Sequence, residues 1–235
     1  VYLITGANRG IGYGLAEMLL KQNNPNKQII LGSRVLSNAE KAVQELTTKY
    51  SGSQTKLDCL KLDIENMTDI RLAENYIKDK YGYLSVLLNN AGYLNRNPGH
   101  STQEQTENLI KTFSANFFSQ ILLTETLLGL IVKSPPTLSP HIIFTSSLIG
   151  KRTFYEQSIN ERLSQANLGQ LTKMYEEYLS DFRAGNSHKW NYESTLVFNA
   201  YGPSKSFLNS YMVDLAEKVK SKGVMVNAFN PGWVK

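Results

Sequence analysis

This sequence has little cysteine and no long apolar run, and each of these absences excludes a class of protein. Its single cysteine, Cys59, excludes an internal disulfide, so we expect a cytoplasmic protein in a reducing compartment. No apolar run approaches the ~20 residues that cross a bilayer, because the longest apolar stretch, residues 121–132, is broken by the polar residues 124–126. No membrane segment is therefore expected. Val1 already belongs to the first predicted strand, so a removed targeting peptide stays an open alternative.

Charged and metal-ligating residues limit the range of functions further. Lys and Arg number 25 against 20 Asp and Glu, which gives a net charge of +5 without a long basic run. This balance favours a solvated basic surface with a local anion site over a nucleic-acid-binding face. The three histidines, His100, His141 and His188, show no metal-ligand spacing with each other or with Cys59, so we infer no metal.

Short apolar segments alternate with amphipathic helical segments along most of the chain. We predict six strands, at Val1–Thr5, Gln28–Ser33, Leu57–Leu62, Leu84–Leu88, His141–Thr145 and Val224–Phe229. In the helix after the first strand, the apolar periodicity favours a buried face with Ile11, Leu15, Met18 and Leu19. Right-handed crossovers between parallel strands need intervening helices, so the pattern predicts a doubly wound, Rossmann-type α/β sheet flanked by helices. We expect one domain over residues 1–235.

Residues from about 151 to 195 interrupt this alternation before the last predicted helix. The segment carries aromatic and leucine residues at roughly helical spacing, among them Phe154, Leu163, Tyr175 and Phe182. We therefore predict a helical insert that packs on the domain. A substrate lid is the alternative, because the insert directly precedes the predicted helix that carries Tyr201 and Lys205.

A glycine-rich turn follows the first predicted strand and opens the first helix. Glycines at 6, 10 and 12 permit a tight turn and keep side chains away from a pyrophosphate, whose oxygens the free N–H groups of the helix N-terminus can bind. Glycines alone also fit an ordinary strand-to-helix turn, but their place in an alternating pattern favours a dinucleotide site. The residues assigned to this site are Gly6, Asn8, Arg9, Gly10, Ile11 and Gly12.

The residues after the second predicted strand indicate which dinucleotide is bound. NAD-selective sites of this kind place an Asp or Glu about 20 residues past the glycines, on the ribose 2′-hydroxyl. Positions 26–36 contain no carboxylate, whereas Arg34 follows the strand and Arg9 lies inside the glycine turn. Guanidinium groups bind a 2′-phosphate through charge-assisted hydrogen bonds, so the sequence favours NADP(H), that is NADPH/NADP+, over NAD(H).

Tyr201 and Lys205 are four residues apart at the start of a predicted helix, which places them on one face. A free tyrosine has a pKa of about 10, and a nearby ammonium stabilises the phenolate, so we expect Lys205 to lower the pKa of Tyr201 and make it a better acid. Taken alone, such a pair is more often a surface contact than a catalytic one.

Five motifs occur in one order along the chain: Thr5-Gly6-x3-Gly10-x-Gly12, Asn89-Asn90-Ala91-Gly92, Ser146-Ser147, Tyr201-x3-Lys205 and Pro231-Gly232. Together they resemble the short-chain dehydrogenase/reductase family over the whole chain. The sequence is most similar to its monomeric NADPH-dependent carbonyl reductases and to plant relatives that reduce cyclic ketones. Three features carry this closer likeness: residues 8–12, the ending at residues 231–234, and the insert before Tyr201.

The resemblance implies catalytic roles for four residues. Tyr201 corresponds to the general acid that protonates the carbonyl oxygen, and Lys205 to the residue that tunes Tyr201 and binds the nicotinamide ribose. Ser147 corresponds to the serine that hydrogen-bonds the substrate oxygen. It is preferred to Ser146, whose alternative role is strand-end capping, because of its spacing to Gly150. Asn116 corresponds to the helix asparagine that anchors a water beside the lysine, although it could also be a core polar group.

The resemblance also extends the cofactor site beyond the glycine turn. Asp63 and Ile64 correspond to the adenine-contacting pair, Asn90 lines the cofactor, and Pro231 and Gly232 border the nicotinamide. The remaining residues assigned to the cofactor by this resemblance are Ala91, Gly92, Tyr201 and Val234. Trp233 is expected to form a wall of the substrate pocket, with a core tryptophan as the alternative.

The activity implied by the resemblance is reduction of ketones, aldehydes or quinones by hydride transfer from NADPH. Its partner would be a small-molecule carbonyl, with no nucleic acid or membrane, and we expect a monomer because such an insert covers the dimerising face in related reductases. The family's last loop, helix and strand are not expected in this chain, which ends at Lys235. Two alternatives stay open: an alcohol or hydroxysteroid dehydrogenase working toward oxidation, and a non-catalytic NADPH-binding regulatory protein.

Overall fold

The computed structural model of the chain describes residues 1–190 and 198–232. The chain divides into two compact units. Unit 1 comprises Val1–Gly92, Ser119–Thr145 and Val219–Lys235, and unit 2 comprises Tyr93–Phe118 and Ser146–Lys218. The single domain that we expect over residues 1–235 stays a prediction.

Unit 1 contains a parallel sheet of six strands. Their bounds are β1 (Tyr2–Thr5), β2 (Gln28–Ser33), β3 (Lys56–Lys61), β4 (Val86–Asn89), β5 (His141–Thr145) and β6 (Met225–Phe229). The spatial order is β3-β2-β1-β4-β5-β6, and every neighbouring pair is parallel. This confirms the predicted doubly wound sheet. The order reverses between β1 and β4, the point at which sheets of this architecture bind ligands beyond the carboxyl ends of their strands.

Eight α-helices lie in the described part of the chain: α1 (Gly10–Leu20), α2 (Leu36–Lys49), α3 (Met67–Tyr81), α4 (Thr102–Phe113), α5 (Ser119–Val132), α6 (Gln157–Gln165), α7 (Leu168–Arg183) and α8 (Phe198–Lys220). Local sequence explains several of their ends. Asn66 caps α3 by accepting hydrogen bonds from the Thr68 and Asp69 N–H groups, and Gly82 ends it in the left-handed conformation. Ser101 and Glu104 form a capping box at the start of α4.

The face that α1 buries differs from the predicted one. Gly12, Ala16 and Leu20 are buried, whereas Met18 is 65% exposed, so its assignment to the buried face was wrong. Because Gly12 and Ala16 are small, α1 packs closely on the residues beneath this face. Gly12, Ala16 and Leu20 follow one another at intervals of four residues and so share one face of the helix, and Met18 lies off that face.

The sequence predicts one long helix from about Gln103 to Lys133, but the structure interrupts it. Residues Ser114–Phe118 form a π-helical turn between α4 and α5, and such turns recur at functional sites. By length and composition alone, the helical span Thr102–Val132 is apolar enough to cross a membrane, but 61% of its most apolar window is buried inside the protein. The core helix of a folded protein gives the same result, so this finding carries little weight.

The insert is helical, as predicted, over the residues that the structure describes. It contains α6 and α7, while residues 191–195 of the predicted segment lie outside the described part. Within unit 2, α7 packs against α4 through aromatic rings: the Tyr175 and Tyr178 ring centroids lie 4.8 and 6.2 Å from that of Phe113. Phe207 of α8 contacts the same Phe113 ring at 5.3 Å. The insert thus belongs to the aromatic core of unit 2.

Candidate active site

Helix α8 presents the predicted acid and its lysine on one face in unit 2. Lys205 follows Tyr201 by about one turn, and its Nζ atom lies 5.7 Å from the centroid of the Tyr201 ring. Pro203 lies in the second turn of α8 and cannot donate to the Asn199 carbonyl oxygen, which instead accepts a hydrogen bond from the Tyr178 hydroxyl at 2.7 Å. The sequence therefore places the phenol and the ammonium side by side without help from distant parts of the chain.

The Tyr201 phenol is hydrogen-bonded to Ser147, which brings two predicted catalytic residues into contact. Burial raises the pKa of Tyr201, and the hydrogen bond with Ser147 lowers it by less. The expectation that Lys205 would lower this pKa below its ordinary value was wrong for this structure, because desolvation of the phenolate is the largest effect. A phenol with a raised pKa holds its proton at neutral pH, as a proton donor must.

Lys205 is buried, with only 3% of its surface exposed. Burial disfavours the charged form and lowers the pKa of Lys205 to about 8. At pH 7 this amine is still mostly protonated. A cation therefore lies beside the Tyr201 ring under neutral conditions.

Asn116 is fully buried at the centre of the π-helical turn. Its Oδ1 accepts a hydrogen bond from the Tyr93 N–H at 2.7 Å, and its Nδ2 donates to the Tyr93 carbonyl oxygen at 2.8 Å. The same Nδ2 donates to Ser204 Oγ at 3.2 Å, and Ser204 Oγ donates to the Tyr201 carbonyl oxygen at 2.7 Å. Asn116 is thus connected to the backbone of Tyr201, while its role in anchoring a water stays a prediction.

Ser146 and Ser147 differ in their partners. Ser146 is buried and its Oγ donates a hydrogen bond to Asn209 Oδ1 at 2.7 Å, whereas Ser147 is hydrogen-bonded to Tyr201. Of these two hydroxyls, that of Ser147 is therefore the one beside the predicted acid. The choice of Ser147 agrees with this geometry, and its contact with a substrate stays a prediction.

Gly12 in the glycine turn of unit 1 has no room for a side chain. A Cβ atom on Gly12 would lie 2.5 Å from the Gly6 carbonyl oxygen and 2.6 Å from Asn90 Nδ2, and Gly6 has a φ of +63°. Helix α1 begins at Gly10, its N-cap residue Arg9 makes no side-chain capping bond, and its first turn carries no acidic residue. N–H groups at a helix N-terminus without a side-chain cap are the donors that a pyrophosphate requires, so this turn fits a dinucleotide.

Asn90 connects the ends of three strands in unit 1. Its N–H donates to Thr5 Oγ1 and its Nδ2 to the Thr5 carbonyl oxygen, both at 2.9 Å, and its Oδ1 accepts from Thr145 Oγ1 at 3.3 Å. Ala91 N also donates to Thr5 Oγ1 at 2.9 Å. This network holds the predicted cofactor residues Asn90 and Ala91 against the glycine turn, and Gly92 beside them is exposed.

The predicted 2′-phosphate ligands are accessible. Arg9 and Arg34 are both exposed, and neither forms an ion pair with a carboxylate among residues 1–190 and 198–232. Their guanidinium groups are therefore accessible for binding an anion. Both belong to unit 1, as do the glycine turn and β2.

The remaining predicted cofactor residues lie in unit 1 with different degrees of exposure. Asp63 is half-buried and its Oδ1 accepts a hydrogen bond from the Glu65 N–H at 3.1 Å, while Ile64 is buried. Asn8, Ile11 and Pro231 are half-buried, and Gly232 is exposed. Trp233 and Val234 lie outside the described residues. In the part of the chain that the structure describes, no group of three or more His, Cys, Asp or Glu could hold a metal ion.

A comparison with protein-family models identifies the family. The model described as short chain dehydrogenase matches residues 1–159, more than half of the chain. The chain belongs to this family. It is accordingly an oxidoreductase of the short-chain dehydrogenase/reductase type, as the sequence motifs indicated.

Individual members of the short-chain dehydrogenase family are similar over the whole chain. A short-chain dehydrogenase/reductase of a Phoma species is 30% identical over 238 residues, covering 100% of this chain and 77% of its own. Carbonyl reductase [NADPH] 3 of Rattus norvegicus is 29% identical over 246 residues, covering 100% and 82%. Among solved structures, menthone neomenthol reductase from Mentha piperita superimposes with a TM-score of 0.81 at 23% identity, covering 98% of this chain and 88% of that one.

Sequence reasoning missed several residues that organise this short-chain dehydrogenase. Thr5 was quoted within a motif but given no role, although its hydroxyl binds two backbone N–H groups of the cofactor segment. Gln120 donates to the Ala91 carbonyl oxygen from α5, and Asn209 binds the turn around Ser147 from α8. A hydroxyl residue at the end of the strand that precedes the glycine turn was a usable signal for Thr5. Gln120 and Asn209 act through tertiary contacts that no local pattern contains.

Proposed function

We propose that this short-chain dehydrogenase reduces ketones, aldehydes or quinones with NADPH and that Tyr201 protonates the carbonyl oxygen. The observation that carries the proposal is the hydrogen bond between Tyr201 and Ser147 beside the buried ammonium of Lys205. These three groups can bind, protonate and stabilise one oxygen atom. Carbonyl reduction needs all three of these actions at the oxygen.

The cofactor assignment rests on unit 1. The glycine turn, with the close approach at Gly12 and the uncapped N-terminus of α1, fits a pyrophosphate, and Arg9 and Arg34 supply cations for a 2′-phosphate. The name of the similar rat carbonyl reductase includes NADPH. When bound, NADPH supplies the hydride.

The chain's own residues complete the reaction at the carbonyl oxygen. Ser147 and Tyr201 donate hydrogen bonds to this oxygen and so stabilise the negative charge that develops on it. Tyr201 then gives its proton to the oxygen and becomes a phenolate. The adjacent Lys205, which is mostly protonated at pH 7, stabilises that phenolate after the proton has left.

A substrate and cofactor panel distinguishes this proposal from its rivals. Quinones, dicarbonyls and cyclic ketones are each assayed with NADPH and NADH by cofactor absorbance, and the matching alcohols with NADP+ and NAD+. We expect turnover of at least one carbonyl class with a preference for NADPH. Turnover restricted to alcohol oxidation with NAD+ would support the dehydrogenase alternative. NADPH binding without any turnover would support the regulatory one.

We further propose a monomer in a reducing, cytoplasmic environment. Support comes from the insert, whose helix α7 packs on the aromatic surface of α4 in unit 2, and from the lone thiol of Cys59. Light scattering would give the chain mass of 26.4 kDa for a monomer. A mass twice as large across the accessible concentration range would contradict the monomer.

A further inference from the structure

Asn209 joins the two ends of the turn that carries Ser147. Ser146 Oγ donates to Asn209 Oδ1 at 2.7 Å, and Asn209 Nδ2 donates to the Gly150 carbonyl oxygen at 2.9 Å. A carbonyl oxygen only accepts, so Gly150 requires the Nδ2 side of the amide and leaves Oδ1 for the hydroxyl of Ser146. A single side chain therefore closes the segment from residue 146 to residue 150 at both ends.

The position of Asn209 on α8 attaches this turn to the catalytic face. Tyr201, Lys205 and Asn209 follow one another at intervals of four residues, so their side chains lie along one side of the helix. The two hydrogen bonds of Asn209 thus attach the turn that contains Ser147 to the same side of α8 that presents the phenol and the ammonium.

A close contact between Gly150 and Lys205 limits movement of the turn toward α8. Gly150 is buried, and a Cβ atom placed on it would lie 2.8 Å from Lys205 Cβ and 3.1 Å from the Lys205 carbonyl carbon. The turn cannot move closer to α8, because this contact already excludes a methyl group. The Asn209 hydrogen bonds oppose movement away from α8.

We propose that Asn209 is a positioning residue that holds the Ser147 hydroxyl in the place where it binds Tyr201 and the substrate oxygen. Asn209 acts through the backbone of the turn, since its side chain binds Ser146 and Gly150. The part of this inference that concerns catalysis rests on the proposed function. The part that concerns the Ser147–Tyr201 hydrogen bond does not.

The proposal predicts graded effects. Asn209→Ala removes both hydrogen bonds, while Ser146→Ala removes one and keeps the bond to Gly150. A displacement of about 1 Å at a catalytic group can lower a rate by about 100-fold. We expect kcat to fall about 10- to 100-fold in Asn209→Ala and by a smaller factor in Ser146→Ala. Ser210→Ala is the matched control, because its hydroxyl donates to the Ser206 carbonyl oxygen inside the same helix, at 3.2 Å.

A double-mutant cycle with Ser147→Ala separates positioning from general destabilisation. If Asn209 works through Ser147, Asn209→Ala lowers kcat by no more than about threefold once the Ser147 hydroxyl has been removed. A merely structural role gives the same fall in both backgrounds, and that result would overturn the proposal. Ser146→Ala replaces Asn209→Ala in the cycle if the latter does not fold.

A readout without turnover keeps this inference separate from the proposed function. The chemical shift of a 13C label on Tyr201 Cζ, measured at pH 7.5, responds to the hydrogen bond from Ser147. We expect Ser147→Ala and Asn209→Ala to move this resonance in the same direction, and Ser210→Ala to leave it in place. An unchanged resonance in Asn209→Ala contradicts the inference even if the wild-type chain turns over no carbonyl.

Discussion

The hydroxyl of Ser204 donates a hydrogen bond to the carbonyl oxygen of Tyr201 at 2.7 Å. Ser204 is fully buried, and the same hydroxyl accepts a hydrogen bond from Asn116 Nδ2 at 3.2 Å. The asparagine of the π-helical turn is thereby linked to the first turns of α8. Because Asn116 also binds both backbone groups of Tyr93, it connects two segments of unit 2 to the backbone of Tyr201.

Replacement of Ser204 by alanine tests this link. The change leaves Asn116 Nδ2 without one of its buried partners, so we expect the free energy of unfolding to fall by about 1–3 kcal/mol. Ser206→Ala is the control, since its hydroxyl donates to the Gly202 carbonyl oxygen inside α8 at 3.2 Å. Urea unfolding measures both variants. An equal loss in the two would show that the bond to Asn116 contributes nothing beyond an ordinary helix hydroxyl.

Gly12 and Gly14 offer a matched pair on α1. An added methyl group on Gly12 would meet the Gly6 carbonyl oxygen at 2.5 Å, whereas one on Gly14 would meet nothing within 4 Å. We expect Gly12→Ala to abolish NADPH binding and to destabilise the chain. In Gly14→Ala, binding is retained and stability rises by about 0.5–1 kcal/mol, as for glycine in a helix interior. Fluorescence titration with NADPH measures binding, and thermal unfolding measures stability. Unimpaired binding by Gly12→Ala would contradict the assignment of this turn to the cofactor.

Arg34→Ala tests the cofactor preference. Charge-assisted hydrogen bonds to a phosphate contribute about 1.5–3 kcal/mol, so we expect the KM for NADPH to rise about 10-fold or more and that for NADH to change little. Arg71→Ala, an exposed arginine of α3, is the control and leaves both values unchanged. Equal effects on the two cofactors would show that Arg34 does not bind the 2′-phosphate.

The buried lysine predicts a specific pH dependence of stability. The folded-state pKa of Lys205 is lowered to about 8 from an ordinary value of 10.5, so between these values the unfolded chain binds more protons than the folded one. Stability contributed by this group therefore rises as pH increases from 8 to 10.5, and its cost is fully present below pH 8. Relative to Lys205→Met, the wild type gains unfolding free energy over that window. A difference that is constant with pH contradicts the lowered pKa.

Much of the fold and part of the site could be predicted because they depend on local pattern. A few consecutive residues determine each of three features. These are strands β2 and β5, the glycine turn, and the four-residue spacing of Tyr201 and Lys205. The interruption of the long helix at Ser114–Phe118 could not be predicted in this way, since no proline or glycine marks it. Its central residue Asn116 is held by partners on other segments.

The errors have a common physical origin in tertiary context. Met18 was assigned to the buried face of α1 by its hydrophobicity, but Gly12 and Ala16 pack there and leave it 65% exposed. The pKa of Tyr201 was expected to fall beside Lys205, but burial of the phenol has the larger effect. Burial depends on how distant segments pack, so neither outcome could be obtained from spacing along the chain.

In the proposed reaction, Tyr201 supplies the proton to the carbonyl oxygen. Tyr201→Phe removes only the hydroxyl, and general acids contribute about 100- to 10,000-fold to such rates. The most direct measurement is single-turnover reduction of a quinone or dicarbonyl that the wild type accepts, with NADPH binding checked by fluorescence. We expect a loss of this size in the chemical step, with NADPH bound as in the wild type. Undiminished turnover by Tyr201→Phe would contradict it.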